Sequence, residues 1–266
     1  IDVEFDFFDP NPNVDYHAIK RLLIQLFGRD SDIFSLHELT ELLLAQPLGT
    51  TIKTDGTESD PYAILSLINM HAYHEHPSIK ALAAYFLCKA AQANPTMHTA
   101  LQTLFSQSQP HVGLVICERL INMPVQVIPP MYRLLLDELQ NALSADKPYK
   151  FSHILFLSRT YHLSNDEESA LANSISPRQA NGKSNNKKSK KAKTADMAGA
   201  GIAEEYNLLT RRPSDGIYPF HPEDLVIMQM AECTMDYKFD KAPAEPREKD
   251  AFGLDVRGRA ILVRAD

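Results

Sequence analysis

The sequence predicts an α/β fold, a mixed, mainly central β-sheet flanked by helices, and three observations carry that prediction. Val3, Phe5 and Phe7 alternate with Glu4 and Asp6, the period of a strand with one buried face. Several longer segments repeat apolar residues at the 3.6-residue period of a helix. A strand, a helix and a strand follow one another at 112–117, 131–143 and 149–161, the order of a parallel crossover, in a chain with hairpin-like neighbours elsewhere. The sheet is therefore expected to be mixed.

The first strand runs into the turn Asp9-Pro10-Asn11-Pro12-Asn13. Asp15 is then placed to cap a helix whose apolar positions are Ile19, Leu22, Leu23, Leu26 and Phe27, and Gly28 closes it. Ser35 and Glu38 have the spacing of a capping box for a second helix, faced by Leu36, Leu39, Leu42 and Leu43, which stops before Pro47. The β-branched stretch Thr50 to Thr54 and the turn Asp55-Gly56 reverse the chain into Tyr62 to Met70. That run is apolar at nearly every position, which predicts a central strand covered on both faces.

Pro77 and Pro95 suit the first helical position and open two helices, one carrying Ile79, Leu82, Ala83, Phe86 and Leu87, the other Met97, Leu101, Leu104 and Phe105. Val112 to Cys117 is the next strand, Met131 to Leu143 a periodic helix, and Tyr149 to Tyr161 a long strand. Residues 164–214 are rich in Asn, Ser, Ala and Lys with no lasting apolar period, and read as a linker or long surface insertion within a single domain spanning 1–266. Order resumes at Tyr218-Pro219-Phe220-His221-Pro222, leads into a helix over Glu223 to Met235, and ends in a strand at Arg259 to Arg264.

Of 266 residues, 44% are hydrophobic and 23% charged, a balance that excludes a disordered or fibrous chain. No run of 18 apolar residues occurs, so no membrane partner is expected. Ile1 to Asp9 is acidic and lacks the positive n-region of a secretory signal, and the chain is expected to have lost residues upstream of Ile1. Cys88, Cys117 and Cys233 are far apart, without CxxC spacing, which fits small buried hydrophobes in a reducing compartment.

The net charge of −7 argues against wholesale nucleic-acid binding and favours basic proteins as partners. It conceals an asymmetry. Arg178 to Lys193 holds seven cations and no acid, so the rest of the chain sums to −7 minus 7, or −14. The opening, Ile1 to Asp15, carries Asp2, Glu4, Asp6, Asp9 and Asp15 and no cation, a face that could speed capture of a basic partner or simply keep the chain soluble. Lys187, Lys188, Lys190, Lys191 and Lys193 form a tract that fits a nuclear localisation signal; no aromatic is interleaved, so direct nucleic-acid binding is not expected.

Common catalytic signatures are missing: there is no GxSxG, GxxxxGK[ST] or HExxH, and Gly199 with Gly201 lacks the third glycine of a dinucleotide loop. The loop Glu118 to Pro130 joins a strand to a helix, a place where backbone N–H groups can hold a phosphate. Here it contains no glycine and three prolines, Pro124, Pro129 and Pro130, with no N–H to give. His71, His74, Glu75 and His76 invite a metal reading, but without an accompanying Cys or second ligand pair they read as an exposed connector. His153 and His221 read as structural histidines, and Glu118-Arg119 either as a functional pair or as an ion pair closing a sheet edge. No catalytic residue, metal ligand or cofactor is assigned.

Five segments together are specific: VEFDFFDPNPNVDYHAIKRLLIQLF (Val3 to Phe27), TTIKTDGTESDPYAILS (Thr50 to Ser66), ERLINMPVQVIPPMY (Glu118 to Tyr132), FSHILFLSRTY (Phe151 to Tyr161) and FHPED (Phe220 to Asp224). In this order they resemble the BCCIP family over nearly the whole ordered chain. The resemblance implies a fold related to the GNAT acetyltransferases, without evident acetyltransferase activity and with no cofactor. It implies a nuclear protein shuttling to the cytoplasm, an escort of a basic large-subunit ribosomal protein that supports ribosome assembly and nuclear export, with import and export factors as further partners. Glu118, Arg119, Asn122, Glu223 and Asp224 are the candidate partner-binding positions, taken as surface residues. The alternatives are an adaptor in DNA repair and cell-cycle control, or a residual enzyme binding acyl-CoA.

Overall fold

Alternation along two strands builds the molecule. In β3 (Ala63–Asn69) and β4 (His111–Arg119), Ile64, Ile68, Val112, Leu114 and Ile116 enter one core layer, while Leu65, Leu67, Val115 and Cys117 enter another. A strand apolar on both faces needs cover on both, and receives it. The computed structural model describes residues 4–145, 147–163, 167, 216–241 and 255–265. It divides into one unit of residues 1–161 with 219–266 and another of residues 162–218. Within the second, the Leu163 N–H donates to the Gly216 carbonyl.

Among the described residues there are eight strands. They include β1 (Asp6–Phe8), β2 (Gly49–Lys53), β5 (Phe151–His162), the short β6 (Ile217–Pro219), β7 (Ala231–Tyr237) and β8 (Asp255–Arg264). Seven run in the order β1-β2-β3-β4-β5-β8-β7. The pairs β1/β2, β2/β3, β3/β4 and β7/β8 are antiparallel, and β4/β5 is parallel. The mixed sheet and the crossover between β4 and β5 are thus as expected from sequence.

α1 (Tyr16–Phe27), α2 (Leu36–Leu44), α3 (Pro77–Ala93) and α4 (Pro95–Ser106) bury their apolar stripes on one face of the sheet. α5 (Ile128–Ser144), the crossover helix, packs Ile128, Met131, Leu135 and Ala142 on the other. Proline opens α3 and α4, where its missing N–H costs nothing. The caps that hold those starts are His76, whose ring nitrogen accepts from the Ser78 N–H, and Asn94, whose side chain accepts from Thr96 and Met97.

Several details depart from the sequence reading. Asp15 stands at the N-cap of α1 but makes no cap bond; one carboxylate oxygen binds Lys53 Nζ at 2.6 Å and the other accepts the Asn11 N–H. Lys53 is fully buried, and a buried ammonium takes precedence because leaving it unpaired costs several kcal/mol. Ser35 sits at the N-cap of α2 without a side-chain cap bond. The helix expected over Glu223 to Met235 is one turn, α6 (Asp224–Ile227), a 3-10 turn (Met228–Met230), and then strand β7. Pairing with β8 decides it: Met235 and Tyr237 enter the core, while Asp236 grips Arg259 with two hydrogen bonds.

Cys88 is exposed rather than buried. The His71–His76 stretch is not merely an exposed connector: His71 bonds the Leu104 carbonyl through Nε2, accepts the Val112 N–H at Nδ1, and stacks on His111. Another buried ion set fastens the chain after β7. Asp30 takes the Tyr85 hydroxyl, the Lys89 ammonium and the Asp240 N–H.

Candidate functional site at the ends of β4 and β5

Parallel pairing of β4 with β5 runs from His111↔Phe151 to Ile116↔Leu157, yet β4 continues to Arg119 and β5 to His162. In open α/β sheets, ligand sites gather at such carboxyl ends. Here the chain's own segment from Phe220 to Asp224 lies against both strands. The Phe220 N–H donates to the Arg159 carbonyl on β5, and His221 Nε2 donates to Glu118 Oε1 on β4 at 3.0 Å. The Arg159 guanidinium lies 4.5 Å from the centre of the Phe220 ring, a cation–π contact.

Glu118 is the hub. Its Oε1 accepts from Gln25 Nε2 at 2.8 Å, the Arg119 N–H at 3.0 Å, Arg159 Nη2 at 3.2 Å and His221; its Oε2 accepts from Arg159 Nε at 3.1 Å. Burial alone would raise its pKa, but His221 and the Arg159 guanidinium outweigh that and hold it at about 2. The Arg119 guanidinium turns to Glu223 in a two-pronged pair. Glu118 and Arg119 therefore do not pair with each other through their side chains. Asp224, also buried, accepts the Ser158 hydroxyl, and burial pushes its carboxyl up to about 6.

Such a cluster ties α1, β4, β5 and the Phe220–Asp224 segment together. A carboxylate with pKa about 2 and five donors is a poor general base. The nearby Cys117 thiol is buried, and that burial pushes its pKa up, away from the nucleophilic thiolate. At the start of α5, the Val127 N–H is bonded to the Pro124 carbonyl and the Ile128 N–H to Val125. Pro129 and Pro130 follow with none, so the pyrophosphate of an acyl-CoA finds no cradle there. Among the described residues no group of three or more His, Cys, Asp and Glu is placed to hold a metal, and no helix is long and apolar enough to cross a membrane.

Of the five positions singled out as surface residues, Asn122 alone is exposed. Glu118, Arg119 and Asp224 are buried and Glu223 is mostly covered, because each charge finds a partner from a distant part of the chain. His221 belongs to this cluster, and His153 bonds Ser152 and Glu232. Of the acidic opening, Glu4, Asp6 and Asp9 are exposed, Asp15 is buried against Lys53, and Asp2 lies outside the described residues, as do Lys187, Lys188, Lys190, Lys191 and Lys193.

Sequence reasoning missed the apolar rim around this cluster. Ile121 is 74% exposed, with Leu120 beside it; Ile24 precedes Gln25 on α1, and the exposed Val226 lies one turn beyond Glu223. The loop that presents Leu120 and Ile121 is held by the Leu120 N–H on Tyr62 and the Met123 N–H on Leu120. The signal was present in the sequence, since Leu120 and Ile121 follow a strand end and precede Pro124.

The family model for BCCIP matches residues 1–227. Protein bcp1 of Schizosaccharomyces pombe is 40% identical over 99% of this chain and 85% of its own length. Protein BCP1 of Yarrowia lipolytica is 40% identical over 100% of this chain and 78% of its own. The crystal structure of BCP1 from Saccharomyces cerevisiae aligns with a TM-score of 0.64 at 26% identity, covering 100% of this chain and 84% of that one. An agmatine N-acetyltransferase aligns at 7% identity with a TM-score of 0.35, too low to bear on fold or chemistry.

Proposed function

The chain belongs to the BCCIP family, and from that membership we infer that it acts by binding protein, not by catalysis, as a nuclear escort of a basic large-subunit ribosomal protein in ribosome assembly and export. The observation that carries this reading is the rim: Ile121 and Leu120 stand on a hydrogen-bonded loop over a cluster whose charges are spent on one another. Exposed apolar side chains on a rigid support lose little entropy on docking and supply affinity. The acidic remainder of −14 draws in a cation-rich cargo and shields it from nucleic acid. Charge alone would give a promiscuous sink; the apolar rim adds selectivity. The start of α5, where the Val127 and Ile128 N–H groups are already bonded and Pro129 and Pro130 have none, supports the non-catalytic side of the reading.

The test is to tag the full chain, purify it from nuclear extract at about physiological salt, and identify what accompanies it in near-equal amount. One basic large-subunit ribosomal protein is expected, lost from Ile121→Asp while the variant keeps its thermal midpoint. A broad set of import, export or repair factors with no stoichiometric ribosomal protein would make the chain an adaptor and overturn the reading. A thermal shift of the pure protein that saturates with acetyl-CoA would overturn its non-catalytic part.

A further inference from the structure

Two imidazoles stand where β3 ends and β4 begins. Asn69, the last residue of β3, fixes one of them. Its Oδ1 accepts the His71 N–H at 3.0 Å and the Ala72 N–H at 3.1 Å, and its Nδ2 donates to the Pro148 carbonyl and to His111 Nδ1 at 2.9 Å. With the amide held that way round, His111 Nδ1 accepts and its ring proton sits on Nε2. His71 Nδ1 accepts the Val112 N–H at 3.0 Å, and its Nε2 donates to the Leu104 carbonyl at 3.1 Å. The two rings lie stacked, their centres 5.2 Å apart and their planes within 4°. Each ring thus spends a lone pair on a hydrogen bond, and an imidazolium has no lone pair to spend.

We propose that the stacked His71–His111 pair is an acid-sensitive joint: a proton taken up by His71 breaks its bond to the Val112 N–H and loosens the entry into β4, while the Ile121 loop, at the other end of that strand, stays in place. The surroundings oppose a charge on His71. Its ring lines a cavity of about 310 Å³ with Met70, Ile79, Ala83 and Phe105, an apolar wall that solvates an ion poorly. The groups that face it are His111 from β4, His74 from its own loop and Lys80 from α3, and Glu75 is bonded to Lys80 and His74. At the end of α4 the Leu104 and Gln107 carbonyls favour the charge, but burial outweighs them and holds His71 below the ordinary imidazole value. The unfolded chain charges this histidine near about 6.5, so the stability it contributes is present above that pH and is lost as pH falls below it. Loss of the Val112 bond leaves the Met70 N–H on the Val112 carbonyl and the rest of the β3/β4 ladder intact, so the opening is local.

The test is amide hydrogen exchange of the full chain at about pH 7 and about pH 5, corrected for the intrinsic change in rate, together with an NMR titration of the His71 ring. Protection of the Val112 amide is expected to drop at the lower pH while the Leu120 and Met123 amides keep theirs. The His71 resonance is expected to titrate with a midpoint below about 6.5. His71→Asn, which offers a side-chain oxygen to the Val112 N–H and cannot titrate, is expected to keep Val112 protected at the lower pH. His111→Asn is the second variant: it keeps an acceptor for Asn69 and removes the stacked imidazole, so the His71 midpoint is expected to rise. Equal Val112 protection at the two pH values, a His71 midpoint at or above about 6.5, or the same acid loss in a folded His71→Asn chain would overturn the proposal. So would a His71 midpoint that His111→Asn leaves unmoved, since the two rings would then not act as a pair.

Discussion

Asp224 and Glu118 show how one cluster sets opposite pH dependences. The Asp224 carboxyl is raised from 3.8 to about 6 by burial, so between those values the folded chain holds a proton that the unfolded chain has released. Its contribution to stability is therefore gained as pH falls through about 6 and is complete near 3.8. Glu118 runs the other way: its carboxyl is lowered from 4.5 to about 2, and its contribution, present above 4.5, is lost as pH falls towards 2. Asp224→Asn keeps an acceptor for Ser158 and removes the titration. The wild-type chain is expected to gain on the order of 2 kcal/mol from Asp224 between about pH 7.5 and about pH 4, and the variant to lack that gain, as read by denaturant unfolding at each pH. Identical pH profiles for the two would show that Asp224 is not the titrating group. None of this was legible in the sequence. Glu118 and Arg119 were visible as polar residues at a strand end, but their partners Arg159, His221 and Glu223 lie 41 to 104 residues away. Burial of a charge is a property of such pairings, and a local pattern cannot carry it.

At the scale of elements, the helices and the buried strands could be read because their signals are local. The stripe of α1, the prolines opening α3 and α4, and the nearly continuous apolar run of β3 each decide their own segment. β7 could not, because its helix-like spacing yields to pairing with β8, more than twenty residues later. That pairing depends on Gly258. It lies opposite Tyr237, whose buried ring crosses the glycine so closely that an added Cβ would overlap the ring atoms. Tyr237 in turn meets Tyr85 and Phe239 edge to face in the core. Gly258→Ala must displace a ring with nowhere to go, and is expected to destabilise the chain by about 1–3 kcal/mol, the range for overpacking a filled core. Urea denaturation reads the loss directly. Gly56→Ala offers a contrast: its positive φ also resists a side chain, yet open space surrounds it, so its cost is that of the backbone alone. If both substitutions cost the same, the Tyr237 contact is not what requires Gly258.

For the whole molecule, the decisive quantity is where charge resides. The seven cations of Arg178 to Lys193 belong by sequence to residues 162–218, one of the two units, and the acids fall mostly in residues 1–161 with 219–266, the other. Composition alone revealed this asymmetry, and the fold adds that the buried carboxylates of Asp15, Asp30 and Glu118 are neutralised inside it by Lys53, Lys89 and Arg159. What remains at the surface is the exposed share, such as Glu4, Asp6 and Asp9, and the cargo proposed above would meet that share. If import rests on the tract, then Lys187, Lys188, Lys190, Lys191 and Lys193 changed together to Gln take the net charge from −7 to −7 minus 5, or −12. The variant is expected to melt as the parent does and to bind purified cargo at least as well, since its acidity rises. In cells its fluorescent fusion should move from nucleus to cytoplasm. A fusion that stays nuclear would show that the address is read elsewhere. One that moves to the cytoplasm and also loses purified cargo would show that the same lysines take part in binding, and that the separation of an acidic, cargo-holding body from a basic address does not hold.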